Sequence, residues 1–278
     1  MNNIAPRICL YAIVVLLISS CSSLFGPEGR RGVSSSLVDY LYPNGEIPPD
    51  HQNITPHLHL PLTVGLAFVP SHKSRYSVLP EAQKIRLLES VKQEFVDLDY
   101  VKEIKIVPET YMRSSKGFEG VGQIARLYSL DVVALVSYDQ VATSSEKKSA
   151  LLYWTIAGAY LIKGNQNRAT TFVDTAVFDV NSKKMLFRAP GVSETSQSST
   201  LIEAREVNRA TREKGFELAM ADMSDNLKAE LIRFKDSVKN DDSVRVTRRT
   251  GYGGGGGVGW PSILLLLGLV LARLTRSR

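Results

Sequence analysis

Between residues 61 and 240 the hydrophobic positions follow two rhythms, and each rhythm predicts an element. Leu62, Val64, Leu66 and Phe68 alternate up to Pro70, which predicts a strand closed by a residue unable to donate to a ladder. From Pro80 the spacing changes to three and four. Ile85, Leu88, Val91, Phe95 and Leu98 then share one face, predicting a helix from 80 to about 98. VKEIKIV, at 101–107, predicts a second strand. Phe118, Val121, Ile124 and Tyr128 line a second, shorter helix, with the glycines of KGFEGVGQ read as a loop leading into it. DVVALVSY, at 131–138, is almost continuously apolar, as expected of a central strand. Residues 170–180 and 184–189 predict a hairpin about Asn181-Ser182. A long helix closes the series from about 203 to 238, with Phe216, Met220, Met223, Leu227, Leu231 and Phe234 as its seam.

This order predicts an α/β (α+β) domain with a mixed sheet and flanking helices, in two or three layers. The strand–helix–strand opening, the hairpin Asp179-Val180-Asn181-Ser182-Lys183-Lys184-Met185-Leu186-Phe187 and the closing helix are similar in pattern to the amino-terminal domain of TolB. They are equally similar to the periplasmic domain of the curli secretion lipoprotein CsgG. One segment departs from the plan: LLYWTIAGAYLI, at 151–162, is apolar on every side and flanked by Lys147, Lys148 and Lys163. Twelve residues are too few to span a bilayer as a helix, which needs about 20. The segment is either a buried core element or, at the place where the curli channel protein inserts its pore strands, a membrane-touching or oligomer-forming hairpin.

Both ends of the chain break with the middle. MNNIAPR is polar with one charge, Arg7, and residues 8–18 form an uncharged apolar run of eleven. That length suits the h-region of an export signal and not a stable membrane helix. Ile18-Ser19-Ser20-Cys21 follows, an aliphatic residue, two small residues and a cysteine. This resembles the bacterial lipobox, which implies cleavage before Cys21 and addition of palmitate-type acyl chains there. Several chains anchor a protein stably where one does not. Ser22, in place of the aspartate that would retain a lipoprotein on the inner membrane, implies outer-membrane delivery.

At the other end GYGGGGGVGW precedes PSILLLLGLVLA, and Arg273, Arg276 and Arg278 finish the chain. Trp260 suits a membrane interface and the arginines suit the cytoplasmic face, the side that Arg7 also occupies during export. Gly253, Gly254, Gly255, Gly256 and Gly257 cannot hold a helix, since glycine costs about 1 kcal/mol per residue against alanine. Together with Gly251 they form an extended, cleavable stretch beside a short apolar helix. The combination resembles the GlyGly-CTERM sorting signal, whose substrates are cut by the intramembrane protease rhombosortase. Removal of such a tail parallels the processing of a GPI signal. A plain carboxyl-terminal anchor, or a linker to a structural helix, shares the same residues. A lipobox and this tail on one chain, with SSSLVDYLYP at 34–43, resemble the rhombotarget lipoprotein family, whose resemblance implies an address and no activity.

Composition changes little except through the ends. The chain is 44% hydrophobic and 22% charged, inside the globular range, so disorder throughout is excluded. The formal charge of +6 falls to +2 over residues 21–250 once Arg7 and the three terminal arginines are set aside. That near-neutral middle removes the electrostatic case for a nucleic-acid partner. Only Cys9 and Cys21 are present, and Cys9 lies in the h-region, so the mature chain has neither a disulfide nor a cysteine metal site.

Candidate chemistry is sparse. His51, His57 and His59 lack the further ligands that a zinc site wants and read as solvent-facing. Gly117, Gly120 and Gly122 lack the ending of a phosphate-binding loop. No nucleophile elbow and no convergent acid pair is legible. The expectations are therefore a signal peptide at 1–20, a tether at 21–60, the domain at 61–240, a basic and Gly-rich linker at 241–257 and a sorting tail at 258–278. They include no catalytic residue, no metal and no cofactor. The partners expected are the membrane, the lipoprotein-processing enzymes, rhombosortase and an unknown envelope protein or a second copy. A CsgG-like oligomer using 151–162 is the alternative, and an enzyme acting on wall or glycan a third.

Overall fold

The computed structural model describes residues 29–43, 45, 54–71, 79–114, 116–146, 163–241 and 243–249. Ile18, Ser19, Ser20, Cys21, the apolar segment 151–162, the glycines from Gly251 to Gly257 and the tail lie outside the described residues. Thirteen elements follow in the order β1 (Gly29–Ser35), α1 (Leu37–Leu41), β2 (His57–Leu60), β3 (Leu62–Phe68), α2 (Glu81–Phe95), β4 (Val101–Ile106) and α3 (Glu109–Ser114). Then come α4 (Gly117–Tyr128), β5 (Val132–Glu146), β6 (Asn165–Asp179), β7 (Met185–Ser199), α5 (Ala204–Asn240) and β8 (Arg245–Arg248).

The fold is the expected mixed α+β arrangement, with helices on both faces of one mixed sheet. Strand order is β4-β3-β5-β6-β7, with β3 parallel to β4 and β5 and with β5, β6 and β7 antiparallel. Two strands share one edge of β5 end to end. Val132–Val136 of β5 pair with β3, and Tyr138–Ser144 pair with β1. At the junction the Tyr138 N–H donates to Ser35 Oγ at 3.0 Å and the Val69 N–H to the Val136 carbonyl at 2.8 Å. Each bond satisfies a backbone group that the change of partner would otherwise orphan.

The apolar pattern follows from the layers. Leu135 and Val136 are fully buried because helices cover both faces there, and this is why 131–138 reads as one apolar run. On one face α2 and α5 pack over Leu66, Phe68, Ala134, Val136 and Val177. On the other, α1, α3 and α4 pack over Ala67, Val69, Leu135 and Ala176. Beyond Tyr138, α5 is the one helix among the described residues that covers the sheet. In β6, Asn165, Asn167, Ala169, Thr171, Val173 and Thr175 are buried toward it while Arg168, Thr170 and Phe172 are exposed.

The first half of α5 rests on this region through polar groups. Gln140 Nε2 donates to Thr171 Oγ1 at 2.8 Å and to the Arg212 carbonyl at 2.9 Å. Ser193 Oγ donates to the Gly215 carbonyl at 2.6 Å, and Thr195 Oγ1 to the Thr211 carbonyl at 2.9 Å. Strand and helix meet closely at Gly191, where a β-carbon would stand 2.2 Å from the Ala219 carbonyl oxygen.

Several boundaries differ from expectation. Residues 29–43, within the segment read as tether, form β1 and α1, and Tyr40 and Leu41 are buried against the helical layer. The apolar patch at 37–42 therefore docks, and the strand before it was hidden by its polar, glycine-bearing sequence. β2 also lies in that segment, and β8 lies in the segment read as linker. The glycines of KGFEGVGQ stand inside α4, which opens at Gly117 itself (φ +74°), a left-handed position that suits glycine.

Candidate functional site

Below the sheet face covered by α2 and α5, the helices and the strands diverge, and the ribbon of β2 and β8 closes the gap. These two strands pair in parallel, His57 with Arg245 through Leu60 with Arg248. The Arg245 N–H donates to the Pro56 carbonyl and the Arg249 N–H to the Leu60 carbonyl, which ties the ribbon at both ends. Between ribbon, sheet and helices lies a cavity of about 650 Å3. Its floor comes from the alternating positions Leu62, Val64 and Leu66 of β3 with Val132 and Ala134 of β5. Its walls are Val91 and Phe95 of α2, Leu227, Leu231 and Phe234 of α5, Leu186 and Phe187 of β7, and Leu58 and Val246 of the ribbon.

The polar groups are confined to the edge. Lys92, Lys235, Lys239 and Arg248 stand there against one carboxylate, Asp99. Lys92 is paired with Glu89 and Lys239 with Asp236. The Lys235 ammonium lies 4.9 Å from the centre of the Tyr100 ring, a cation–π contact, and burial together with Asp99 raises the Tyr100 hydroxyl above its usual range. Neither Lys235 nor Arg248 forms an ion pair with a described residue. The lining holds no histidine, serine or cysteine. Such a site can hold an apolar body with a polar end at the rim, and it offers no nucleophile–base pair.

A second polar assembly lies at the carboxyl end of β3, beside Tyr138 in the middle of β5. The Lys84 and Glu109 side chains are 3% and 2% exposed and ion-paired, and Arg113 Nη2 donates to Glu109 Oε1 at 2.8 Å. Glu81 Oε1 accepts the Glu109 N–H at 2.8 Å. The Lys84 ammonium also lies 5.5 Å from the Tyr138 ring centre and 5.9 Å from that of Phe68. Burial lowers the Lys84 pKa to about 8. Such an amine is chemically attractive, but neither cavity reaches it. Its partners join α2 to α3 across the strand ends, which is a structural task.

A smaller, polar pocket of about 410 Å3 lies beside Thr63, Lys105, Arg126, Asp131 and Arg249. Four of its charged side chains are engaged by the protein itself: Asp131, Arg249, Lys105 and Glu103. Asp131 accepts from the Thr63 N–H at 2.8 Å and from Arg249 Nη2 at 3.0 Å, and Lys105 donates to the Tyr128 carbonyl at 2.9 Å. His57 and His59 share the Thr247 hydroxyl, at 3.1 and 2.7 Å, with their rings 4.1 Å apart. Among the described residues no group of three or more His, Cys, Asp or Glu could hold a metal ion.

The cavity escaped sequence reading because its lining looks like ordinary core. Leu231 and Phe234 continue the seam of α5, and Leu186 and Phe187 belong to the hairpin motif. The one signal was Leu58 and Leu60 alternating with His57 and His59 just before the first expected strand.

No family model matches the chain, and no curated protein matches it. Among solved structures, a neuraminyllactose-binding hemagglutinin homolog from Helicobacter pylori aligns at 10% identity with a TM-score of 0.36, over 70% of this chain and 97% of that one. A DUF330 protein from Xanthomonas campestris aligns at 10% identity and 0.33, over 70% and 95%. The PelC dodecamer from Paraburkholderia phytofirmans aligns at 10% and 0.23, over 70% and 99%. The likeness is loose in every case.

Proposed function

We propose that this chain is an exported envelope lipoprotein, acylated at Cys21 and cut by rhombosortase in the glycine run 251–257, whose α/β domain is a non-catalytic binding module displayed from the outer membrane. The observation that carries the binding reading is the apolar cavity, closed by its own ribbon, whose lining holds no histidine, serine, cysteine or convergent acid pair. The lipobox and the tail carry the address. The fold supports a tether of useful length: β1 begins at Gly29, eight residues after Cys21, and such a segment spans at most ~29 Å.

The test is the intact mass of the protein extracted from membranes of a host that processes both signals. Loss of residues 1–20, a gain of acyl chains and absence of the tail beyond the glycines are expected. A chain still ending at Arg278, or an unmodified Cys21, overturns the address. Binding is tested separately, in the experiment that closes the next subsection.

One observation favours the oligomer as a second reading. Glu146 pairs with Asn165, so the apolar segment 151–162 joins β5 to β6 at the same end of the sheet where Gly29 pairs with Ser144. An apolar connection beside the root of a lipid tether suits a membrane surface or a second copy. Particle mass in mild detergent separates the two readings: a ring-sized species supports the oligomer, and a monomer supports the simple binding module.

A further inference from the structure

We infer that the cavity takes a single-chain anionic amphiphile, specifically a long-chain fatty carboxylate, with its chain among Val64, Leu186 and Leu231 and its carboxylate between Lys235 and Arg248. The inference rests on the binding-module reading and names its ligand. Three observations carry it. First, a methylene occupies about the space of a water molecule, ~30 Å3, so about 650 Å3 accommodates roughly twenty such groups. That is one long chain, and too little for the two chains of a phospholipid. Second, the lining offers no hydrogen-bonding group in its depth, so the buried part of the ligand is apolar along its length. Third, the rim is cationic: Lys235 and Arg248 have no ion partner among the described residues, and they flank an opening with a single acid, Asp99. Two cations without an ion partner over an apolar slot favour an anion at the end of an apolar chain over a neutral amphiphile.

The chain's own anchor is a poor occupant. Val132 lines the cavity, whereas Gly29 pairs with Ser144, twelve residues further along β5. At ~3.3 Å per residue that separates the cavity from the tether's root by roughly 40 Å. An acyl chain on Cys21 could enter the cavity only with the tether near full stretch, so a ligand from outside the molecule is the expected occupant.

The test uses isolated membranes that carry the full chain. They are equilibrated with a palmitate bearing a photoactivatable diazirine and irradiated, and the protein is digested and mapped by mass spectrometry. The long-chain alcohol with the same diazirine is the control. Label is expected on the peptides holding Leu186 and Leu231, about tenfold stronger from the acid than from the alcohol, as for one charge-assisted contact. Unlabelled myristate, two methylenes shorter than palmitate, is expected to compete about tenfold more weakly. Leu231→Trp is expected to weaken the label by taking up part of the cavity. The surface pair Lys235→Glu and Arg248→Glu, which spares the core, is expected to bring the acid down to the level of the alcohol. Unchanged label in Cys21→Ala supports a ligand from outside, and a marked rise there shows that the anchor had filled the cavity and overturns the inference. Equal label from acid and alcohol overturns the carboxylate and leaves a binding module for neutral chains. Label elsewhere on the chain alone overturns this cavity as the site. No label from either probe, on protein of the correct processed mass, overturns the binding reading itself and leaves the lipoprotein address standing.

Discussion

Replacing Gly191 with alanine tests the closest approach in the fold. A β-carbon at this position of β7 would lie 2.2 Å from the Ala219 carbonyl oxygen and 2.5 Å from both the Met223 nitrogen and its Cβ. Two of these three atoms are backbone of α5, so no side-chain rotation relieves the contact. The helix must lift from the strand, or the strand must bend away. Inserting a methyl group into a packed core typically costs about 1–3 kcal/mol, and a rigid backbone neighbour puts this site at the upper end. Against that stands the gain from restricting the unfolded chain, about 0.4–1 kcal/mol. The net expectation is a loss of about 2 kcal/mol, or a fall in Tm of roughly 4–8 °C for a domain of this size. Urea titration of the processed protein, followed by far-ultraviolet circular dichroism, reads the loss as a lower midpoint at unchanged slope. Gly122→Ala supplies the opposite sign with the same chemistry. Gly122 lies within α4, and its nearest neighbour to a new β-carbon is Arg126 Nη1 at 3.8 Å, so this exchange is expected to stabilise by up to about 1 kcal/mol. A Gly191→Ala protein within about 0.5 kcal/mol of the parent, the range of an ordinary surface exchange, would refute the close packing of α5 on β7.

Two further outcomes follow from the buried polar groups. Gln140→Leu keeps the volume but removes the buried hydrogen bonds to the Thr171 hydroxyl and the Arg212 carbonyl and the one from the Arg212 guanidinium, and a loss of about 2–3 kcal/mol is expected in the same titration. Its combination with Thr171→Val is expected to be milder than the sum of the two, and strict additivity would show that the pair does not interact. The buried Lys84 amine has a pKa near 8 in the folded protein against 10.5 when free, so above pH 8 the unfolded chain binds the extra proton and stability rises with pH. Tyr40 acts in the other direction. Burial pushes its hydroxyl to about 12, so the unfolded tyrosine ionises first above pH 10 and stability falls there. A rise confined to pH 8–10 and abolished in Lys84→Met is the expected profile. An unchanged slope in that variant would assign the rise to another group.

Where burial alone decides structure, the chain is legible. The strand at Leu62, the helix from 81 and the strand at 101 stand within a few residues of their expected bounds, and the apolar strand begins at 132 against the expected 131, because each buries a face whose spacing matches its backbone period. Legibility fails where hydrogen bonds replace apolar contact. β5, β6 and β7 each run to fifteen residues, far past their apolar portions, because Gln140, Thr171, Ser193 and Thr195 hold α5 as firmly as leucines would and carry no hydrophobic signal. β1 fails for the same reason, since its partner is the polar half of β5. The cavity fails differently. Its residues obey the core pattern completely, and only the divergence of α5 from the sheet separates a lining from a core.

That divergence also orders the molecule along β5. The root of the amino-terminal tether and the ends of the β5–β6 pair stand at one end, and the cavity, the ribbon and Arg249, bound to Asp131, stand at the other. The glycine run therefore leaves the domain roughly 40 Å from the tether that the lipid would hold. On the proposed reading, while both signals remain in a bilayer the domain is held at its two ends, which keeps the cationic rim of the cavity near the membrane beside the departing tail. Cutting the glycine run removes one attachment. The domain can then stand on its tether with β2, β8 and the cavity mouth turned outward. On the proposed reading, processing changes the accessibility of the site without changing its fold. A limited-proteolysis comparison of cut and uncut protein on intact membranes tests this directly. Arg245, Arg248 and Arg249 are exposed on the ribbon, and trypsin is expected to reach them faster once the tail is gone. Equal rates in the two forms would show that the tail does not hold the cavity end to the membrane.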